Sequence, residues 1–203
     1  MALQPATERG RRTRDRIVRA ASGLVAERGA LATSLDDVGR RAPASRSQLY
    51  HYFDDKADLL RAVIRVTNDD VLEAQADLFA DLGSWEGLHR WADALVAFQV
   101  QSHASGGCPI GSLVPQLAEH DPAARAELAA GFDRWESALR TGLEEMRQRG
   151  LLAAGSDPAW LATVVLASVQ GGLVLTQARR DPAQLRQALD GALALIEAHR
   201  AAC

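Results

Sequence analysis

Residues 34–53, SLDDVGRRAPASRSQLYHYF, decide the fold of this 203-residue chain. Two capping boxes are written into the stretch, Ser34 with Asp37 and Ser45 with Gln48. Each pairs a hydroxyl with a side chain three residues on, so that unsatisfied N–H groups at a helix start are bonded reciprocally. Between them Ala42-Pro43-Ala44 interrupts the helix, because proline has no N–H and restricts the residue before it. The stretch therefore predicts a helix over 34–41, a three-residue break and a second helix through Tyr52, the proportions of a helix-turn-helix. Leu35 and Val38 give the first helix its inner face; Leu49 and Phe53 do so for the second. Arg46, Ser47, Gln48, Tyr50 and His51 are left outward, where the start of a recognition helix meets base edges in the major groove. Arg46 suits bidentate pairing with guanine, and Tyr50 and His51 suit phosphates or thymine methyl groups.

Working outward, helical periodicity runs in both directions. Upstream, Ile17, Ala21, Leu24 and Val25 recur at helical spacing and Gly29 stops them, which predicts a helix from Arg12 to Arg28. Downstream, Asp54 can cap a long helix from Asp55 to about Phe79 that carries Leu59, Leu60, Val63, Ile64, Val71, Leu72 and Leu78. Trp85, Leu88, Trp91, Leu95 and Phe98 mark another. Ser105 to Pro109 is a loop, followed by a short helix from Ile110 to Glu119 that contains Pro115. Asp121-Pro122, Asp157-Pro158 and Asp181-Pro182 each set a capping carboxylate before a proline at the first helical position, opening the last three helices. No stretch alternates apolar and polar residues as a half-buried strand does. The fold class is all-α, with about nine helices.

Composition agrees with a soluble globular protein: 47% hydrophobic, 24% charged and 5% aromatic residues. Alanine, the best helix former, approaches a fifth of the chain. Residues 1–56 hold 11 of the 23 Lys and Arg but only 7 of the 26 Asp and Glu, a net +4 against −7 for the rest. A basic first quarter on an acidic body points that quarter at a polyanion. Lys56 sits near a helix start, where the macrodipole disfavours a cation, and a phosphate would compensate it. Arg9, Arg11, Arg12 and Arg14 read equally as a DNA-binding arm or as a solubilising tail. Cys108 and Cys203 are too few for a disulfide framework and point to a reducing compartment. The start, MALQPATERGRRTR, lacks the apolar core of a secretory signal. The uncharged run from Pro158 to Ala178 is long enough to span a membrane, and is read instead as a helix covered by protein on all sides.

Residues 16–64, RIVRAASGLVAERGALATSLDDVGRRAPASRSQLYHYFDDKADLLRAVI, resemble the DNA-binding domain of TetR-type transcriptional regulators. The landmarks are Ala20-Ala21, Gly29, Thr33-Ser34, Val38, Ala42, Ser45, the run Leu49 to Phe53, Lys56 and Leu59. The chain departs from the family at Pro43 and at Ser47, where glycine is usual or frequent. The segment from Gly106 to Leu143, Gly107-Cys108-Pro109 and Trp135 above all, is similar to the LmrA/YxaF-type branch. The resemblance implies a DNA-binding head over 1–56, including a basic arm, and a ligand-binding and dimerisation domain over 57–203. It also implies a homodimer and repression relieved by a small molecule. Its DNA-binding positions here are Thr33, Ser34, Ser45, Arg46, Ser47, Gln48, Tyr50, His51, Tyr52 and Lys56, with Tyr52 equally readable as packing between helices.

Residues 94–118 contain no Asp, Glu, Lys or Arg. A charge-free helix–loop–helix must be covered or must line a cavity, so Phe98, Gln101, His103, Cys108, Leu113, Leu117, Trp135 and Leu139 are candidate walls for an apolar or weakly polar ligand, with Gln170 reaching in. Plain core packing suits the same residues as well. Cys108 reads as a small packed hydrophobe sooner than as a redox thiol. His51, His89, His103, His120 and His199 lack metal-ligand spacing, and no nucleotide or nucleophile motif is present. No metal, cofactor or catalytic set is expected, and the chain is not read as an enzyme. Small residues on the last two long helices (Ala162, Ser168, Gly171, Gly172, Ala188, Ala192) suit a close four-helix dimer seam. The expectation is a cytoplasmic repressor released from a palindromic DNA operator by a small-molecule inducer, with no membrane role. The alternative is a helical ligand-binding protein or enzyme without a DNA role.

Overall fold

The computed structural model describes residues 7–201, so Cys203 lies outside the described residues. Ten α-helices occur among them: α1 (Glu8–Arg28), α2 (Leu35–Arg41), α3 (Arg46–Tyr52), α4 (Lys56–Glu73), α5 (Ala76–Phe79), α6 (Trp85–Gln101), α7 (Val114–Leu117), α8 (Pro122–Gln148), α9 (Pro158–Arg179) and α10 (Ala183–Glu197). A 3-10 turn, Gly111–Leu113, precedes α7, and the described residues contain no strand beyond an isolated bridge between Leu152 and Arg200. The all-α expectation holds.

The chain forms two compact units. The first runs to Val71 and takes in Pro109–Gly131; the second is Leu72–Cys108 with the chain from Phe132 on. The first has a core of Ile17, Val38, Leu49, Phe53, Leu59, Val63, Ile64 and Leu128, each at most 2% exposed. In the second, Leu82, Leu88, Trp91, Leu139, Leu143, Met146, Leu161, Val169, Leu185 and Ile196 are closed off to the same degree.

All three Asp-Pro carboxylates bond N–H groups at a helix start, although Pro182 is the N-cap of α10 and not its first helical residue. Asp121 Oδ1 accepts from the N–H of Ala123 and Ala124 at 2.9 and 3.0 Å, Asp157 Oδ1 from Ala159 and Trp160, and Asp181 Oδ1 from Ala183. Two sequence expectations are corrected. Helix α1 begins at Glu8: Thr7 Oγ1 accepts from Gly10 N–H, and Glu8 pairs with Arg11 at 2.8 Å and with Arg12 at 3.3 Å. Arg9, Arg11, Arg12 and Arg14 therefore lie within α1 and do not form a tail. The helix expected from Asp55 to Phe79 also breaks after Glu73. There the Gln75 side chain turns inward, and its Oε1 accepts from the indole N–H of the fully buried Trp91 at 3.0 Å. A buried indole N–H without an acceptor is costly, and continuous helix at Gln75 yields to that bond.

Helix α9 is by length and composition apolar enough to cross a membrane. Its side chains from Leu161 to Thr176 at positions 161, 162, 165, 166, 169, 172, 173 and 176 are nevertheless buried within its own unit, where α10 packs on it. It is not covered on all sides, however. Ala167, Gly171, Val174 and Leu175 remain exposed, Val174 at 64%.

Candidate nucleic-acid interface

Both capping boxes form. Ser34 Oγ accepts from Asp37 N–H, and Asp37 Oδ2 accepts from Ser34 N–H at 3.1 Å and from its hydroxyl at 2.6 Å. Ser45 Oγ accepts from Gln48 N–H at 3.2 Å while Gln48 Oε1 accepts from Ser45 N–H at 2.9 Å. The Ser34 hydroxyl and N–H, with Arg28 and Arg40 beyond them, hold the Asp37 carboxyl below the usual carboxylate range. The intervening turn closes through Ala44 N–H to Gly39 O at 3.0 Å. Val38, Ala42, Leu49 and Phe53 are all buried, which fixes α3 against α2 by one face.

The opposite face of α3 is open. Arg46, Ser47, Gln48, Tyr50 and His51 are all exposed. The Arg46 guanidinium lies over the Tyr50 ring, 5.7 Å from its centroid. A side-chain hydrogen bond with Tyr50, and then the charge of Asp36, raise its pKa above the ordinary value. These groups, with Thr33, Ser34 and Lys56, border a cleft of about 310 Å³ between the loop from Leu31 and α3. A second groove, about 660 Å³, is lined by Thr7, Arg9, Gly10, Arg12, Thr13, Arg16, Gln48 and Tyr52. Three arginines of α1 and one side of α3, Gln48 and Tyr52, thus border one concavity, an arrangement suited to a phosphodiester backbone.

Several expected contact residues are engaged inside the protein. Thr33 is buried, and its hydroxyl donates to Gly29 O at 2.8 Å. Tyr52 is only 9% exposed and meets the His51 ring edge-on. Lys56 Nζ donates to Leu31 O at 3.0 Å, which leaves two of its three donors for a phosphate.

The candidate ligand walls divide. Cys108, Trp135 and Leu139 are buried in the second unit, and Gln170 of that unit is half-buried. Leu113 and Leu117 are buried in the first unit. Phe98, Gln101 and His103 face outward, Phe98 at 58% exposure, so the turn of α6 that was read as a wall presents its other side. That buried side carries Gln99, which the sequence reading missed. Gln99 Oε1, Trp135 Nε1 and Gln170 Nε2 are buried atoms without a hydrogen-bond partner.

A helix-turn-helix with an open reading face, in a chain that also forms a second helical unit, defines a DNA-binding regulator. Family comparison agrees. Residues 17–63 match the model of bacterial regulatory proteins of the tetR family, and residues 85–192 match that of the tetracyclin repressor-like C-terminal domain. The chain belongs to the TetR family of transcriptional regulators. It is 27% identical over 175 residues to an HTH-type transcriptional regulator in the lacX 3' region of Lactococcus lactis, covering 84% of this chain and 86% of that one. It is also 22% identical over 176 residues to the HTH-type transcriptional repressor DhaR of Mycobacterium sp. strain GP1, covering 87% and 88%. Among solved structures, a TetR-family regulator from Cytophaga hutchinsonii superposes with a TM-score of 0.81 at 18% identity, over 98% of this chain and all of that one.

Proposed function

We propose that the protein is a cytoplasmic homodimeric repressor that reads a palindromic operator with α3 and leaves it when a small molecule binds the second unit. The observation that carries the DNA part is the phase of α3: Leu49 is buried while Arg46, Ser47, Gln48, Tyr50 and His51 share the open side. Arg46 is proposed as the guanine reader, Tyr50 and His51 as flanking contacts, and Lys56 with the α1 arginines as phosphate contacts. Ser34 and Ser45 set the two helix starts. The division at residue 56 between a DNA-binding part and a ligand and dimer part is retained as a functional division, and the LmrA/YxaF-type affinity of the C-terminal part as a proposal.

The dimer is proposed through α9 and α10. Ala167, Gly171, Val174, Leu175 and Ala178 on α9, and Gly191, Ala194 and Ala198 on α10, leave an exposed face of small and apolar side chains at helical spacing. The ligand is proposed to be apolar with a few polar atoms, accepting from Trp135 Nε1 and Gln170 Nε2 and donating to Gln99 Oε1. These atoms are otherwise buried and unpartnered.

Selection of bound sequences from random duplex DNA tests the reading. The expected product is a two-fold symmetric site whose half-sites lie about 34–36 Å apart or at a related spacing. Recovery of no preferred sequence, or of a single half-site, overturns it.

A further inference from the structure

The loop between α1 and α2 is held by a residue far outside the helix-turn-helix. Ala30 is fully buried, and its N–H donates to Gln116 Oε1 at 2.8 Å. Gln116 Nε2 in turn donates to Ser112 O at 2.8 Å, which fixes which end of the amide faces Ala30. Gly29 has a φ of 87°, and a Cβ there would lie 2.8 Å from Gln116 Oε1, so glycine is needed for both the turn and the close approach. From another direction Lys56 Nζ donates to Leu31 O, and Thr33 Oγ1 closes back on Gly29 O. Every residue from 29 to 33 except Ala32 is thus tied at a stated atom, and the next residue is Ser34, the cap of α2.

We propose that Gln116 is a positioning residue for DNA recognition: its bond to Ala30 sets the start of α2, and through the buried α2–α3 contact the presentation of α3. All these groups belong to the first compact unit. Gln116 shares its short segment with the buried Leu113 and Leu117, so a displacement of that segment reaches the loop before α2 through one hydrogen bond. The inference rests on the DNA-binding reading above.

Gln116→Met keeps the length of the side chain and removes the acceptor, leaving a buried N–H unbonded. The full-length protein is titrated with the selected duplex and with a shuffled duplex at several salt concentrations. Operator affinity falls about tenfold, because the reading surface is less preorganised. Shuffled-duplex affinity and the salt slope stay unchanged, since both follow the number of phosphates neutralised. Exchange of the Ala30 amide hydrogen speeds up. Gln116→Glu keeps an oxygen for the Ala30 N–H but sets a carboxylate oxygen against Ser112 O, so its operator affinity lies between those of Gln116→Met and the parent. Operator affinity of Gln116→Met within about twofold of the parent overturns the proposal, as does unchanged Ala30 exchange. So does a parallel loss on both duplexes with loss of helicity, which marks a merely structural role. If the parent protein itself prefers no duplex, the DNA-binding reading has failed, and the parent titration alone reveals that.

Discussion

Arg46 is the residue proposed to carry sequence specificity. Its side chain is exposed, but the Tyr50 ring beneath it, 5.7 Å from ring centroid to guanidinium, restricts where the guanidinium points. A fork held in place loses less entropy when it meets guanine. Arg46→Ala is expected to cost about 1–3 kcal/mol at one base pair of each half-site and to relax preference there; equal loss at every position of the site, scored by repeating the selection, would contradict that role. Asp121 gives a second residue-scale test. The Ala124 N–H, and with it Arg61 at 2.9 Å and the Ala123 N–H, hold its carboxyl below the usual range against the opposing effect of burial. A depressed folded pKa means that the stabilisation is fully present above the unfolded value of about 3.9 and is lost as pH falls through the folded value. Asp121→Asn keeps a good cap without the charge, so its melting temperature changes less than the parent's as pH is lowered through and below 3.9. Identical acid profiles for the two proteins remove Asp121 from the acid response. At this scale the sequence was partly legible. The outward set on α3 followed from period alone. Thr33 did not, because its hydroxyl turns inward to Gly29 O; Tyr52, one turn after Leu49, carried both readings and is buried. Gln99 was legible in principle: it continues the buried line Leu88, Trp91, Ala92, and Gln101 is out of phase with that line, whereas Phe98, two turns after Trp91, shares its phase and is exposed nonetheless.

Most element ends set by chemistry a few residues away are legible in the sequence, the start of α1 excepted; the break after α4, set by a distant partner, is not. The capping boxes at Ser34 and Ser45 and the Asp-Pro caps all act within three residues. The break at the end of α4 depends on Trp91, and the start of α1 on the Thr7 cap with the Glu8 pairs, which lie ahead of the apolar period that begins only at Ile17. The two adjacent glycines of α9 show how far a small-residue pattern carries. Gly172 is packed within its own chain: a Cβ there would lie 2.9 Å from Leu185 Cδ1 and 3.0 Å from Ala188 Cβ. Ala162 and Ala192 are likewise internal, so these three residues support α9 and α10 and are not seam residues. Gly171 has nothing within 4 Å. Gly171→Glu therefore adds a charge to the proposed seam and improves helix propensity by up to about 1 kcal/mol. Light scattering is expected to give a monomer with helicity retained. Gly172→Glu is expected to lower the melting temperature itself, since the added side chain meets the body of α10. A Gly171→Glu protein that stays dimeric moves the seam off this face.

For the molecule as a whole, charge and linkage set what a ligand can do. The positive charge is concentrated in the first 56 residues, at net +4, while the remainder carries −7. DNA is therefore attracted to one part of the chain and repelled by the other, which favours a binding mode confined to the head. A ligand in the second unit touches none of the proposed base readers, so it acts on DNA only by binding a DNA-incompetent form of the protein more tightly than the DNA-bound form. That difference has an obligatory converse. If ligand lowers operator affinity by some factor, operator DNA lowers ligand affinity by the same factor. Trp135, buried with its indole N–H unpartnered, should report occupancy of the proposed site by fluorescence. Trp85, Trp91 and Trp160 add background, which a Trp135→Phe protein measures. A compound found by that signal is expected to bind at least about fivefold more weakly to the operator-saturated dimer than to the bare dimer, the lower end of ordinary coupling energies. Operator titrated against the compound-saturated protein must give the same ratio. A ratio of one would mean that the Trp135 site is occupied without consequence for DNA, and the switch would have to be sought elsewhere in the chain.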